Sequence, residues 1–315
     1  MSATGRAEEA AARRQRSIPL AKSEPGEEES FPRRKRRIDP APYLLLLPSL
    51  IFLVLFIVWP MVQALVLAFQ SSQGAFTLAN MRTMVNDINF WDAFRNTLML
   101  LLIIVPIQVV LALIMALLIN AGLRFSGFFL YVWTIPLAIS DLASGIVWLS
   151  IFTERGYINS VLNEVGLRET PLSFLSYENP TGIVTAIVAA EVWRATAIVM
   201  VLLVAGLQMI PKDFGEAASV FGANGWQRLR HVTLPLLKPN LQVALILRTI
   251  LAFQVFAVVA ALAGRTMPVM AGEAYYWYGN RNLPVAASYA MLILVLSIIN
   301  TAVYLRLLRS HTELA

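Results

Sequence analysis

Long unbroken apolar blocks, not alternating ones, set the pattern of this chain. Six of them stand out: Tyr43–Phe69, Asn96–Asn120, Phe128–Phe152, Thr181–Ala205, Leu241–Leu262 and Val285–Leu308. A helix of roughly 20 residues, rising about 1.5 Å per residue, crosses the ~30 Å hydrocarbon core of a bilayer. Each block is long enough, and each is apolar around most of its circumference, as a lipid-facing or bundle helix must be. Period-two alternation is missing, which argues against membrane strands. The pattern therefore predicts an all-α, polytopic membrane protein with six transmembrane helices over residues 41–315.

One short segment breaks the pattern. Between the fourth and fifth blocks, the loop 212–240 is amphipathic and charged. Phe214, Ala217, Ala218 and Phe221 follow the spacing of one helix face. The run Gly222 to Gly225 (GANG) supplies residues tolerant of positive φ and ends that helix. Trp226, Leu229 and Thr233 restart a second one, with Arg228 and Arg230 on its other side, and Pro235 and Pro239 are expected to stop it before the fifth span. The predicted product is a helix–turn–helix elbow on the membrane surface, its apolar stripe resting on the bundle.

Composition supports the membrane reading: 58% of residues are apolar and 14% charged, against about 45–50% and 25% in soluble domains. Charge placement gives orientation. With the N-terminus inside, seventeen Lys/Arg fall on the inner side and six on the outer, so the positive-inside bias places both termini and the loop 212–240 in the cytoplasm. Residues 1–40 hold ten Lys/Arg and seven Asp/Glu with few large apolar residues, the composition of a disordered tail. Its run Arg33 to Arg37 (RRKRR) is read as an anchor for anionic headgroups of the membrane lipid, not as a nucleic-acid site. The first apolar block is too long for a cleavable signal peptide, and no small-residue cleavage pattern ends it.

Several chemistries drop out. The chain has no cysteine and only two histidines, His231 and His311, so thiolate chemistry and histidine metal sites are not expected. No GxxxxGK[ST] loop or HExxH occurs, so nucleotide chemistry belongs to another chain and no catalytic or metal residue is assigned.

The elbow carries a further pattern. Glu216-Ala217-Ala218, three residues, Gly222, nine residues, then Val232-Thr233-Leu234-Pro235 resembles the EAA loop of ABC-importer permeases, EAA-x3-G-x9-I-x-LP. Val232 replaces the Ile, and Phe221 stands where many sugar permeases carry an acidic residue. The resemblance extends over nearly the whole chain after the tail. The first span, the segment FTLANMRTMVNDINFWDAFRNTL with Phe90-Trp91, Asn96 and Thr97, the segment RGYINSVLNEVG, Glu191 to Trp193 (EVW) and the ending AVYLRLLR look like the maltose-type carbohydrate subgroup. One departure follows span five. Ala257 stands in place of an Asp, and only Ala263-Gly264 hint at a TGGGP-like turn.

The resemblance implies the ABC-importer permease fold with a cytoplasmic coupling helix. Glu216, Ala217, Ala218, Gly222, Ala223, Leu234 and Pro235 are then the contacts to an ATPase subunit. It implies a second homologous permease, two ATP-binding cassette subunits, an extracytoplasmic solute-binding protein and a carbohydrate substrate, in the bacterial inner or plasma membrane. ATP and Mg would reside on the ATPase subunits, with no cofactor in this chain. Rivals are a secondary carrier driven by an ion gradient, which favours inverted repeats and midplane carboxylates, and an integral-membrane lipid-linked transferase, which favours clustered carboxylates at one face.

Ionisable groups at membrane depth are costly and must face the bundle or a wet cavity. Asp141, Glu191, Arg194 and Arg248 are such groups. Glu191 and Arg194 share a helix face and can pair. Asp141 is a partner for Arg194 or Arg248, and Arg248 either enters the bundle or snorkels to the headgroups. With Trp148, Trp193, Phe253, Gln254 and Phe256, the aromatic and polar groups at these depths, they form the candidate substrate path. Tyr275 to Asn280 (YYWYGN) is an outer aromatic segment, either an interfacial belt or a surface facing a solute-binding protein.

Overall fold

A computed structural model describes residues 41–71 and 73–307. The predicted tail, residues 1–40, and the last basic residue, Arg309, lie outside the described residues. The chain divides into two compact units, one ending at Phe52 and one beginning at Leu53. Of the first, the described part is helical, within α1 (Ala41–Leu53), and Leu44 to Phe52 are all exposed.

The second unit is built from helices, and no strand occurs among the described residues. The single bridge, Gln70 to Phe76, closes a loop. After a π-helical turn, Val54–Val58, come α2 (Trp59–Ala68), α3 (Ala79–Val85), α4 (Phe90–Asn120) and α5 (Ser126–Thr134). A 3₁₀ turn, Ile135–Ala138, precedes α6 (Asp141–Phe152), which is followed by α7 (Tyr157–Glu164) and α8 (Pro180–Gln208). The elbow holds α9 (Lys212–Val220), α10 (Gly225–Arg228) and a second π turn, Leu229–Thr233. The remainder is α11 (Leu234–Phe253), α12 (Ala257–Leu262), α13 (Met270–Gly279) and α14 (Leu283–Leu307).

Five helical stretches are long and apolar enough to cross a membrane, Leu44–Ala68, Phe90–Asn120, Pro180–Gln208, Gly225–Phe253 and Leu283–Leu307, and a bent pair supplies a sixth. That pair corrects the expectation of a straight third span. Ser126–Ala138 and Asp141–Glu164 meet at 99°. Pro136 has no N–H for an α-helical bond, and Ile139 and Ser140 take extended backbone before the Ser140 hydroxyl caps α6 by accepting from the Ala143 N–H.

A second correction concerns Pro235 and Pro239, which do not stop the elbow's second helix. It runs on from Gly225 to Phe253 as one span. For Pro235 the reason is the π turn before it, whereas Pro239 is accommodated inside the α-helix Leu234–Phe253. Each π turn among the described residues ends two residues before a proline: Val54–Val58 before Pro60, and Leu229–Thr233 before Pro235. A proline ring clashes with the carbonyl four residues back and offers it no N–H. Widening the preceding turn by one residue moves that carbonyl aside, so the helix continues.

The core lies along α4 and α8, which pack on each other over most of their length. Ala112 and Ala116 on α4 face Val199, Met200 and Leu203 on α8 with no exposed surface. Close approach is enforced elsewhere by glycine: a Cβ at Gly206 would lie 2.6 Å from the Asn240 side chain, and one at Gly145 would lie 2.6 Å from Ala261. Without a hydrophobic driving force between helices in lipid, such contacts supply much of the packing energy.

Candidate functional site

The deepest polar cluster joins three helices. Glu191 on α8 and Arg248 on α11 are each 1% exposed, and Arg248 Nη2 donates to Glu191 Oε2 at 2.9 Å. Gln108 of α4 completes the set: its Nε2 donates to the Glu191 carbonyl at 2.7 Å, and its Oε1 accepts from Arg248 Nε. Arg248 therefore turns into the bundle and does not snorkel. Buried charge at this depth is tolerable only when paired and hydrogen-bonded, and here both conditions hold.

A second, wetter pair extends the cluster outward. Arg194, one turn after Glu191, places Nη1 2.8 Å from Asp141 Oδ1 on α6, while its Nη2 stays 3.7 Å from Glu191 Oε1. The side chains of Arg194 and Asp141 are 15% and 53% exposed. The break before α6 puts Asp141 in the first turn of that helix, where the helix dipole favours an anion. Arg194 Nε and the Ser144 hydroxyl, one turn along α6 from Asp141, are enclosed without hydrogen-bond partners among the described residues. The Trp148 and Trp193 rings meet edge-on at 6.1 Å, and Trp148 stacks on Phe152.

The nine predicted path residues thus separate. Asp141, Glu191, Arg194 and Arg248 form one connected polar chain, and Trp148 with Trp193 forms an adjoining aromatic pair. Phe253 sits in an apolar cluster with Leu101, Val105 and Ala252. Gln254 is exposed at the break between α11 and α12, and Phe256 packs against Tyr275 with centroids 4.9 Å apart and the rings tilted by 35°. Gln108 was missed by sequence reasoning. Its signal was available: it is an amide inside an otherwise apolar span, a position that demands a partner.

At one end of the bundle the elbow stands clear. No residue of α9 or α10 is buried, and Phe221 is 90% exposed. Phe214, Val220 and Trp226 are exposed too, so the apolar stripe does not rest on the bundle as expected. Instead the elbow is braced internally. Gly222 takes φ +79°, which a side chain disfavours, and turns the chain. Asn224 and Gln227 then form a reciprocal capping box. Arg228 donates to the Ser219 hydroxyl across the turn, tying the two helices together. Of the predicted coupling residues, Glu216, Ala217, Gly222 and Pro235 are exposed, whereas Ala218, Ala223 and Leu234 are half-buried.

The opposite end of α11 leads to a segment held by two polar knots. Asp87 Oδ2 accepts from Trp277 Nε1 at 2.7 Å and from the Tyr289 hydroxyl at 3.0 Å, which pins the loop after α3 to α13 and α14. Arg265 donates twice from Nη2 to the Glu273 carboxylate, at 3.2 and 3.1 Å, and its guanidinium lies 3.6 Å above the Tyr276 ring. The two partners shift the same way. Burial pushes the Glu273 carboxyl above its usual range, with Arg265 only partly opposing it. Burial pulls Arg265 down, but Tyr276 and Glu273 outweigh it and hold the half-exposed guanidinium above its ordinary value. Among the described residues no group of acidic or histidine side chains is placed to hold a metal ion.

A bundle of membrane-crossing helices, a charged core paired inside it and a braced elbow projecting from one end define a multi-pass transport component. A family model described as "Binding-protein-dependent transport system inner membrane component" matches residues 89–310, and the chain belongs to that family. It is 33% identical to the trehalose/maltose transport system permease protein MalF of Thermococcus litoralis, over 86% of this chain and 94% of the relative. It is 32% identical to the sulfoquinovosyl glycerol transport system permease protein SmoG of Agrobacterium fabrum, over 90% and 96%. A chain of a bacterial ABC transporter involved in the import of the acidic polysaccharide alginate shares the fold, with a TM-score of 0.73 at 22% identity over 87% of this chain and 96% of that one. Family membership sets aside the secondary carrier and the lipid-linked transferase.

Proposed function

We propose that this chain is the permease subunit of an ATP-driven importer for a carbohydrate, handed over by an extracytoplasmic solute-binding protein. It pairs with a second, homologous permease and with two ATPase subunits, which carry ATP and Mg, while this chain performs no bond chemistry. The relatives named as sugar permeases support the substrate class. A related alginate transporter described in complex with a substrate-bound periplasmic protein supports delivery from outside. Both termini and the elbow face the cytoplasm on the positive-inside bias.

The observation that carries the reading is the elbow: a short, internally braced helical unit whose large apolar side chains have no cover among the described residues. Exposed apolar surface of this kind suits a protein partner. Because α10 continues through the π turn into α11, a push on the elbow is delivered to the helix that carries Arg248. Closure of the ATPase pair then rocks the permeases between inward- and outward-facing states. Glu216, Ala217, Ala218, Gly222, Ala223, Leu234 and Pro235 are the coupling surface. Asp141, Arg194, Trp148, Trp193 and Gln254 offer exposed or unsatisfied polar atoms and ring faces to a hydroxylated solute, whereas Glu191, Arg248, Phe253 and Phe256 shape the wall behind them.

Glu216→Lys and Gly222→Pro test this. Both variants are expected to insert normally, to lose sugar uptake in reconstituted vesicles, and to lose co-purification of the ATPase. Uptake at the normal rate in both refutes the coupling role.

A further inference from the structure

The segment between the fifth and sixth spans contains a recess that shares only Phe256 with the candidate transport path. It has a volume of about 360 Å³ and is walled by Phe256, Arg265, Tyr275, Tyr276 and Asn280. The size falls in the usual range for small-molecule sites, about 300–1,000 Å³. Its origin is legible in α13. Gly272, Tyr275, Tyr276 and Gly279 stand at i, i+3, i+4 and i+7, so they share one helix face. The glycines leave the hollow and the tyrosines raise its walls. At Gly272 a Cβ would lie 3.3 Å from the Val269 side chain and 3.4 Å from the Phe256 ring, so glycine leaves room beside that wall.

The geometry points to a binding site for one neutral sugar ring at the end of the bundle opposite the elbow, where Phe256 and Tyr275 take its C–H face and Arg265 and Asn280 take its hydroxyl rim. The inference rests on the carbohydrate reading above and deepens it. Three observations select this ligand. First, Tyr275 packs against Phe256 with centroids 4.9 Å apart yet remains 62% exposed, so the pair keeps aromatic surface open to the recess. Second, both bonds from Arg265 to Glu273 use Nη2. A guanidinium carries five N–H donors, so its remaining edge keeps donors for hydroxyl oxygens, and Tyr276 beneath it holds the plane still. Third, Glu273 neutralises Arg265, so the recess carries no net charge from this pair. A phosphate or carboxylate ligand would lack the unpaired cation it needs, whereas an uncharged polyol loses nothing. A membrane-interface belt needs neither the recess nor the clamped ion pair.

The test uses the assembled importer in detergent micelles, without its solute-binding protein. Trehalose, maltose and lactose are titrated separately, and saturation transfer from protein to sugar-ring protons gives each Kd. Uptake of the same three sugars is followed in proteoliposomes with the complete system. Tyr275→Ala is expected to raise the Kd of the bound sugar by about twofold to tenfold, the equivalent of one aromatic contact. Tyr275→Phe keeps the ring and should stay near wild type. Asn280→Ala, at an exposed helix end, should weaken binding similarly and guards against a folding defect at Tyr275. Unchanged Kd values in both alanine variants, with uptake intact, overturn the recess as a sugar site and leave the carbohydrate reading standing. Absence of both binding and uptake for all three sugars in the wild-type importer removes the carbohydrate reading, and this site with it.

Discussion

Replacing Glu191 with Leu tests the polar core most sharply. The variant leaves Arg248, 1% exposed, with no carboxylate within reach and only Gln108 beside it. At the 2.9 Å contact distance and an effective dielectric constant of about 20, the lost attraction is roughly 6 kcal/mol. Local relaxation and water entry recover part of it, and removal of one partner from a buried pair costs about 3–5 kcal/mol in practice. The double variant Glu191→Leu/Arg248→Met removes both charges. What then remains is mainly the Gln108 Oε1 left without its donor, about 1–3 kcal/mol. Gln108 Nε2 keeps its bond, because it donates to the Glu191 backbone carbonyl and not to the side chain. Thermal unfolding of the purified chain in micelles, followed by tryptophan fluorescence, should therefore rank wild type above the double variant and the double variant above Glu191→Leu. A single variant as stable as wild type, or a double variant less stable than either single one, would refute the claim that each of these buried charges depends on the other.

Two further outcomes follow from the outer contacts. Asp141→Asn should change stability by no more than about 1 kcal/mol, because the Asp141 side chain is half in water, yet it should alter the KM for sugar uptake; a large loss of thermal stability would instead make Asp141 a structural residue. Asp87→Ala removes the acceptor shared by Trp277 and Tyr289, with hydrogen bonds to a charged group contributing about 1.5–3 kcal/mol each, so trypsin should cut after Arg82 faster in this variant. An unchanged cleavage rate would mean that apolar packing around Met84 and Phe90 alone holds the segment.

The spans were readable because hydrocarbon leaves few options: a run of twenty apolar residues must be a helix. Their internal geometry was not, since Pro235 and Pro136 have the same local chemistry and opposite results. Before Pro235 the helix widened into a π turn and continued, whereas after Pro136 the backbone turned extended and the span bent by 99°. The residues downstream differ in what they meet: Leu237 packs into the α4–α8 core, which rewards a straight α11, whereas Ser140 caps a new helix and places Asp141 beside Arg194. Tertiary partners, invisible in the one-dimensional pattern, decide which response a proline provokes. The same limit applies to the site. Spacing within one helix was enough to pair Glu191 with Arg194. It could not reveal that Glu191 gives its closer contact to Arg248, 57 residues away, nor that Gln108, 140 residues from Arg248 along the chain, closes the set. The elbow shows the converse. Its motif was legible in full, but amphipathic spacing implies only that an apolar face needs cover, and Phe221 lies bare. A stripe that finds no cover among the described residues suits a docking partner, so the failed expectation of burial on the bundle is itself a physical argument for docking.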